Sequence, residues 1–349
     1  LLSTDRKTRE AAARELVKDE VGRKVLREQL GSKNVRVQAA ALTALVDAKD
    51  RDTPFEDIAW KSNEVGLRIL AMTQVYGHDK EFADPKQPPG VRANGILTLH
   101  DDDAEEVIHL YLADPDPFIR QSAQLRLGAW FSTDLVPKVA KRALNNPVQR
   151  MGLLLAWRKV AEANNELTTK DATNNIPAFL KDADPDVRFL AIKWVSDEKL
   201  VQFRPQIVEM LKNAKLDPRE FVGLNTALAR LDDKPVNENS LADYFLDRLK
   251  DKAAAPATQL LALRAVPATH KKLTTEQLLD LLKNGDDAFQ TEALRALKDR
   301  ADPKAADAVI AVAKDEKRPV AVRAQALVTL AALDKTAADF LIELPLGGD

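Results

Sequence analysis

The chain has 349 residues, of which 45% are hydrophobic, only 5% are aromatic and 30% are charged. This composition is typical of packed amphipathic helices and argues against large β-sheets. Its 52 basic and 54 acidic residues give a net charge of −2, which disfavours attraction of the whole molecule to nucleic acid or an anionic membrane. No cysteine occurs, so disulfides, thiolate zinc sites and cysteine nucleophiles are excluded within this segment.

The apolar runs predict no insertion into a membrane. A spanning helix needs about 20 apolar residues, and the longest runs, such as 151–157, fall well short of that length. The chain opens at Leu1 with neither Met nor a signal-peptide pattern. We interpret it as a mature product or a fragment of a longer protein.

A short phrase recurs along the chain: an acidic or Asn/Pro-rich turn, then Val or Ile, Arg, two further residues and Ala. Its best copies are 34–39, 118–123, 186–191 and 321–326. We call the Arg position the marker; in chain order the markers and their weaker equivalents are residues 9, 36, 66, 92, 120, 149, 188, 220, 259, 290 and 323. The mean spacing of about 31 residues fits one helical hairpin per repeat.

The residues after each marker recur at helical spacing, so each marker predicts the start of the second helix of a hairpin. On one such helix a single stripe is expected to be buried, namely Val187, Ala191, Trp194 and Val195. A small Ala or Gly four residues after the Val allows neighbouring helices to approach closely. Asp-Pro pairs precede several of these helices and are expected to cap them: Asp114-Pro115, Asp184-Pro185 and Asp217-Pro218.

The turns between helices carry two further expectations. The marker Arg is expected to cross the hairpin turn and pair with a turn carboxylate or carbonyl. Three segments depart from the regular pattern and are expected to be irregular loops: 78–90, 164–176 and 232–239. Otherwise residues 1–349 form a single repeat array, in which stacked hairpins bury a stripe that none could bury alone.

The phrase resembles the HEAT-repeat family, in particular its short phycobilin-lyase-type HEAT-like variant, over nearly the whole chain. The resemblance implies an all-α, right-handed α-solenoid of about ten to eleven HEAT-like helical hairpins. Tetratricopeptide and ankyrin arrays have comparable periods, but their Trp-Gly-Tyr and Thr-Pro-Leu-His signatures are not found in this sequence.

The middle repeats, 114–121 and 184–194, are similar to the HEAT region of large secreted proteins of planctomycete and verrucomicrobial bacteria. In that family a sugar-dehydrogenase-like β-propeller precedes the repeats and a c-type cytochrome domain follows them. The resemblance implies that this chain is the spacer or docking arm of a larger extracytoplasmic redox protein. Its redox chemistry would then lie in covalently attached domains.

One dense constellation has the residue types of a divalent-metal site: His100, the acids that follow it, and His109. Glu105 and His109 are four residues apart, which places them on one helical face. However, acids before a helix and in its first turn also cap it and complement its dipole, and this is the interpretation that we favour. We therefore expect neither a metal nor another cofactor in this segment.

Charge is unevenly distributed: residues 101–116 hold seven acids and no Lys or Arg, whereas 137–160 hold six basic residues and no acid. Trp157 lies in the basic segment, off the main apolar stripe, which indicates exposure. Trp130 and Trp194 occupy stripe positions and are expected in the core. A basic, aromatic-bearing surface can bind an acidic partner or a phosphate backbone, but neighbouring acidic and basic repeats can equally complement each other.

These patterns predict a noncatalytic scaffold that presents its second helices to a protein partner. The residues expected to contact that partner are Gln121, Gln124, Arg150, Trp157, Arg158 and Lys193. The alternative is a HEAT-like enzyme, either an alkyl-base DNA glycosylase or a bilin lyase, which would need a concave pocket with an acid beside aromatics. A glycosylase also needs a strongly electropositive groove, whereas acids equal or outnumber bases in most repeats.

Overall fold

The computed structural model describes residues 1–100, 103, 110–130, 145–162, 173–213 and 215–333. Within these ranges the regular secondary structure is helical, and no strand occurs. The chain divides into two compact units, residues 1–176 and 177–349. The expectation of one array over residues 1–349 stays a prediction.

The first unit contains nine of the described helices, numbered here in chain order. They are α1 (Arg6–Leu16), α2 (Glu20–Gln29), α3 (Val35–Asp47), α4 (Phe55–Lys61), α5 (Val65–Met72), α6 (Asp79–Ala83), α7 (Pro89–Thr98), α8 (Pro117–Trp130) and α9 (Pro147–Glu162). A short helix, α10 (Ile176–Leu180), begins at the last residue of this unit.

The second unit continues with nine further described helices. They are α11 (Pro185–Asp197), α12 (Arg204–Met210), α13 (Pro218–Leu231), α14 (Glu238–Lys250), α15 (Pro256–Ala265), α16 (Thr275–Asn284), α17 (Asp287–Arg300), α18 (Ala306–Lys314) and α19 (Val320–Leu333). Short 3-10 turns precede α12 and α18.

In each unit the second helices form a row in which each helix packs against the next. The first row is α3, α5, α7, α8 and α9, and the second row is α11, α13, α15, α17 and α19. First helices α2, α4 and α6 pack on the first row, and α12, α14, α16 and α18 pack on the second row. All eleven markers lie within the first four residues of a helix. The prediction of an all-α solenoid built from helical hairpins is confirmed.

The predicted caps explain where two of the second helices begin. The carboxylates of Asp184 and Asp217 accept backbone N–H groups at the starts of α11 and α13, and the following Pro is the first helical residue. The Asp114 prediction is wrong, because α8 begins two residues later, at Pro117. A second Asp-Pro pair, Asp116-Pro117, takes its place, and Asp114 accepts from the backbone N–H of Asp116 at 2.8 Å.

The predicted stripe on α11 forms part of the core. All four of its residues are completely buried: Val187, Ala191, Trp194 and Val195. The small residue after the Val acts as predicted on α7, where a Cβ on Gly95 would lie 2.6 Å from the backbone N of Ala83. Glycine at this position therefore lets α7 approach α6.

Four of the marker arginines bind turns, as predicted. Nη1 of Arg9, Arg120 and Arg188 each donates to two carbonyl oxygens of the turn before its own helix, at 2.5–2.9 Å. Arg92 instead donates to Oδ2 of Asp114 at 2.6 Å, in the turn before the following second helix. The Arg92 bond thus links two successive turns, whereas the others brace a single turn.

The three segments that we expected to be irregular loops have three different outcomes in the structure. Within 78–90, residues 79–83 form α6, and α5 packs directly on α7, so stacking continues through this segment. Most of 164–176 lies outside the described residues. In 232–239, the connection from α13 ends at Asn237, whose side chain caps α14.

Candidate functional site

The predicted contact residues lie on the second-helix rows at different exposures. Gln121 on α8 and Lys193 on α11 are exposed. Gln124, Arg150 and Arg158 are partly buried. Lys193 belongs to the second unit and the other predicted residues to the first, so each unit presents its own part of the set.

Trp157 is only 6% exposed, which corrects the prediction of a surface position. On α9 it shares a face with Leu153, Ala156 and Val160, which are all buried and follow the i, i+3, i+4 and i+7 spacing of a core stripe. The apolar face of α9 is thus wider than the single stripe that the marker defines. The fluorescence of Trp157 would therefore report folding, not DNA binding at the surface. The side chain of Trp130 lies outside the described residues.

The candidate metal ligands Glu105 and His109 lie outside the described residues. His100 is exposed, whereas Asp103 is buried and accepts from the backbone N–H of His100 at 3.0 Å. Nζ of Lys80 lies 2.7 Å from Oδ1 of Asp103. Asp103 therefore binds the backbone before it and Lys80, while the helix that it was expected to cap lies outside the described residues.

Another group of carboxylates converges in the described part of the first unit: Glu20, Asp50 and Asp52. The guanidinium of Arg27 lies among them and donates to both Oδ atoms of Asp50 at 2.9 Å and to Oε1 of Glu20. This arrangement is an ion-pair network that ties α2 to the turn after α3.

A groove of about 430 Å³ lies between α11 and α13, which are consecutive members of the second row. Its floor is formed by Phe189 and Ile192 of α11 and by Val222 and Gly223 of α13. Val222 is 41% exposed, which is high for a large aliphatic side chain. A Cβ on Gly223 would lie 2.9 Å from Cε2 of Phe189, so glycine here leaves room for the aromatic ring between the helices.

Charged side chains line the rim of this groove. Asp197 accepts from Nζ of Lys193 at 2.7 Å and from Nη1 of Arg230 at 2.8 Å. Arg219 pairs with Asp186 and lies over the ring of Phe189, with its Cζ 4.6 Å from the ring centroid. The site thus combines an apolar floor with a mainly cationic rim.

A buried ion pair fixes the two helices at the turn end of the groove. Nε and Nη2 of Arg188 donate to the two carboxylate oxygens of Glu220 at 2.6 and 2.9 Å. The Glu220 side chain is only 1% exposed, and its hydrogen bonds raise the pKa of Arg188. Because both residues occupy marker positions, this pair joins neighbouring repeats.

The opposite end of α13 is tied to the first-helix layer. Asp232 accepts from Nε and Nη2 of Arg204 at 2.6 and 3.0 Å and from the hydroxyl of Tyr244 at 2.9 Å. The bonds from Arg204 lower the pKa of Asp232. Burial, together with the hydrogen bond to Asp232, raises the pKa of Tyr244 to about 12.

In the first row, α8 and α9 also meet at a glycine. A Cβ on Gly128 of α8 would lie 2.8 Å from Cβ of Lys159 on α9. Gln121 lies on the exposed face of α8 with Phe118, which is 69% exposed, and Leu125, which is 42% exposed.

The sequence analysis names Lys193, which lies beside this groove, but none of the apolar residues of its floor. Phe189 and Val222 directly follow the start of their helices, and both lie off the buried stripe. A large apolar residue at a position where the repeat pattern expects a polar one is the signal that identifies them.

No family model matches the chain, and no curated protein sequence matches it. Among solved structures, the karyopherin Kap121p bound to the extreme C-terminus of the protein phosphatase Cdc14p aligns over 97% of this chain, with 14% identity and a TM-score of 0.33. The chain spans 42% of the length of that karyopherin. A microtubule polymerase with TOG domain arrays, from a study of tubulin recruitment and assembly, aligns over 99% of this chain and 96% of its own, with 12% identity and a TM-score of 0.30.

Both similar structures are HEAT-repeat solenoid proteins. At these scores the alignments carry no weight for function, and the fold assignment rests on the helices described above. Among the described helices none is both long enough and apolar enough to cross a membrane.

Proposed function

We propose that this chain is a noncatalytic scaffold that binds a protein partner along its second-helix rows, with the α11–α13 groove as one contact. The observation that carries the proposal is this groove, an apolar floor with a charged rim on two consecutive second helices. An exposed apolar surface bordered by polar residues is typical of protein interaction sites. Lys193, which the repeat pattern selects as a contact residue, lies on its rim.

The architecture supports this role because hairpins that contact mainly their neighbours leave one face of every second helix available. Such repeats build extended binding surfaces without a single central pocket. The exposed face of α8, with Gln121, Phe118 and Leu125, supplies a second stretch of the same kind in the first unit.

Site-specific photo-crosslinking in the source cells tests the proposal. A photoreactive amino acid is placed at Gln121 or Lys193 on the second helices, or at Glu209, whose side chain is 70% exposed on the first helix α12. We expect discrete protein adducts from the first two positions and none from Glu209. Adducts from Glu209 alone would contradict the proposal.

The similarity of 114–121 and 184–194 to secreted dehydrogenase–cytochrome proteins supports a narrower proposal, that the chain is the repeat arm of a larger redox protein. The intact mass of the native gene product, measured in its source cells, tests it. A mass far above 38.6 kDa, with redox domains in the additional sequence, is the expected result. A native product close to 38.6 kDa would contradict this narrower proposal and leave the scaffold role in place.

A further inference from the structure

The α11–α13 groove has an excess of positive charge at its rim. Three cationic side chains line it, Lys193, Arg219 and Arg230, and they pair with two carboxylates, Asp197 and Asp186. The cations are well exposed, at 53%, 51% and 40% of their side-chain surface, whereas Asp197 is 22% exposed and Asp186 is 55% exposed. Asp197 is shared between Lys193 and Arg230, so neither cation has a carboxylate of its own there. Further carboxylates arriving from solvent would find charge-assisted hydrogen-bond donors on both walls.

The floor of the groove favours an apolar group, whereas its rim favours carboxylates. Phe189, Ile192 and Val222 present apolar surface within a volume of about 430 Å³, which is enough for one or two large side chains. A ligand that satisfies both features carries a bulky apolar side chain flanked by carboxylates.

A nucleic acid fits this site less well than a protein segment. The ring face of Phe189 is covered by the guanidinium of Arg219, so it is not an open platform for base stacking.

We propose that the α11–α13 groove binds an acidic segment of a partner protein, with a bulky apolar side chain on the floor and neighbouring carboxylates at Lys193, Arg219 and Arg230. This inference rests on the proposed scaffold function and names the chemistry of the partner at this site. It does not depend on the identity of the partner at any other contact.

The probe is a library of random twelve-residue peptides, selected for binding to the full chain. We expect enrichment of Asp and Glu around a Leu, Ile, Phe or Trp. The affinity of an enriched synthetic peptide is then measured by fluorescence anisotropy. Val222→Glu, which places a carboxylate on the floor, should weaken binding at least about tenfold, as is typical for the central apolar contact of an interface.

Two matched controls separate the groove from general effects. Val328 on α19 is also an exposed valine of the second row, at 54%, and Val328→Glu should change affinity less than about twofold. For charge, Arg230→Glu should weaken binding about tenfold, whereas Arg295→Glu, at a 52% exposed arginine of α17, should have little effect. Unchanged thermal unfolding of all four variants establishes that they fold.

The outcomes distinguish this inference from the scaffold proposal. Enrichment of basic or uncharged peptides that depend on Val222 would overturn the acidic chemistry. Acidic peptides that bind Val222→Glu as tightly as the wild type would overturn the assignment to this groove, and selection of no peptide would overturn both. Displacement of the peptide by a single-stranded oligonucleotide at lower concentration than by free peptide would make nucleic acid the occupant. The scaffold role itself is decided separately, by the crosslinks at Gln121 and Lys193.

Discussion

The helix pairs α8–α9 and α11–α13 are both consecutive members of a second-helix row, yet their glycine contacts differ. Both pairs use a glycine at the contact. In α8–α9, Gly128 meets the Cβ of Lys159, next to the backbone of the facing helix. In α11–α13, Gly223 meets the outer edge of the Phe189 ring. The two contacts therefore differ in how far from its own backbone the facing side chain meets the glycine.

The two pairs also differ in what faces solvent between the helices. Trp157, the large aromatic residue of α9, is buried in the core at 6% exposure. Phe189 of α11 lines the groove and is covered on one face by Arg219. An aromatic residue of a second helix can thus lie in the core or line a groove, and the predictions below separate these two cases.

Trp157→Ala should have the largest effect, a loss of about 3–5 kcal/mol in the free energy of unfolding, because it leaves a large cavity in the core. Lys193→Ala, at an exposed position, should cost less than about 0.5 kcal/mol. Urea unfolding followed by far-ultraviolet circular dichroism measures both. Equal losses for the two variants would contradict the assignment of Trp157 to the core.

Glu220→Ala should cost about 3 kcal/mol, because it removes the carboxylate from a buried ion pair and leaves the charge of Arg188 without its carboxylate. Arg120→Ala removes only hydrogen bonds to turn carbonyls and should cost about 1 kcal/mol. The same urea experiment compares them. A smaller loss for Glu220→Ala than for Arg120→Ala would show that the ion pair does not stabilise the α11–α13 contact.

The two glycines should respond differently to alanine. Gly128→Ala forces α8 away from α9 and should cost about 1–2 kcal/mol. Gly223→Ala displaces only the edge of an aromatic ring and gains helix propensity, so it should change stability by less than about 0.5 kcal/mol. Thermal unfolding ranks the variants, and a reversed order would contradict the contrast drawn between the two pairs.

The smallest effect concerns pH. The pKa of Tyr244 is raised to about 12, from about 10 in an unfolded chain, so its neutral form is favoured by folding. This contribution to stability is fully present below about pH 10 and is lost as the pH rises through about 12. Titration of tyrosinate absorbance should include a late-titrating component from Tyr244. Asp232→Asn should bring it closer to the ordinary value, and no change in that variant would contradict the role of the hydrogen bond.

The helical repeat could be predicted from the sequence because the features that define it are local in the chain. The cap at Asp184, the stripe through Trp194 and the turn bonds of Arg188 all lie within one helix and its preceding turn, where periodicity and capping rules apply. The sequence pattern misplaced Trp157 because burial on α9 extends beyond one stripe, and periodicity from a single marker does not measure the width of a face.

The groove was less accessible because it depends on contacts between repeats. The ring edge of Phe189 packs against Gly223, which lies a full repeat away in sequence. Similarly, the partner of Arg188 at Glu220 is 32 residues away, and both residues occupy marker positions. When the repeats are aligned, Arg188 and Glu220 fall at the same position. The alignment therefore does not show that Arg188 donates hydrogen bonds to Glu220.

The Arg188–Glu220 pair limits how such an array can be rearranged. Copying the α11 hairpin in place of the α13 hairpin would set one arginine against another at a site where Glu220 is 1% exposed. Deleting the α13 hairpin would bring Gln259, the next marker, opposite Arg188 in place of a carboxylate. The complementary charges of Arg188 and Glu220 therefore fix the order of hairpins that have the same backbone architecture. Duplication or loss of a repeat at the α11–α13 contact would need a compensating substitution.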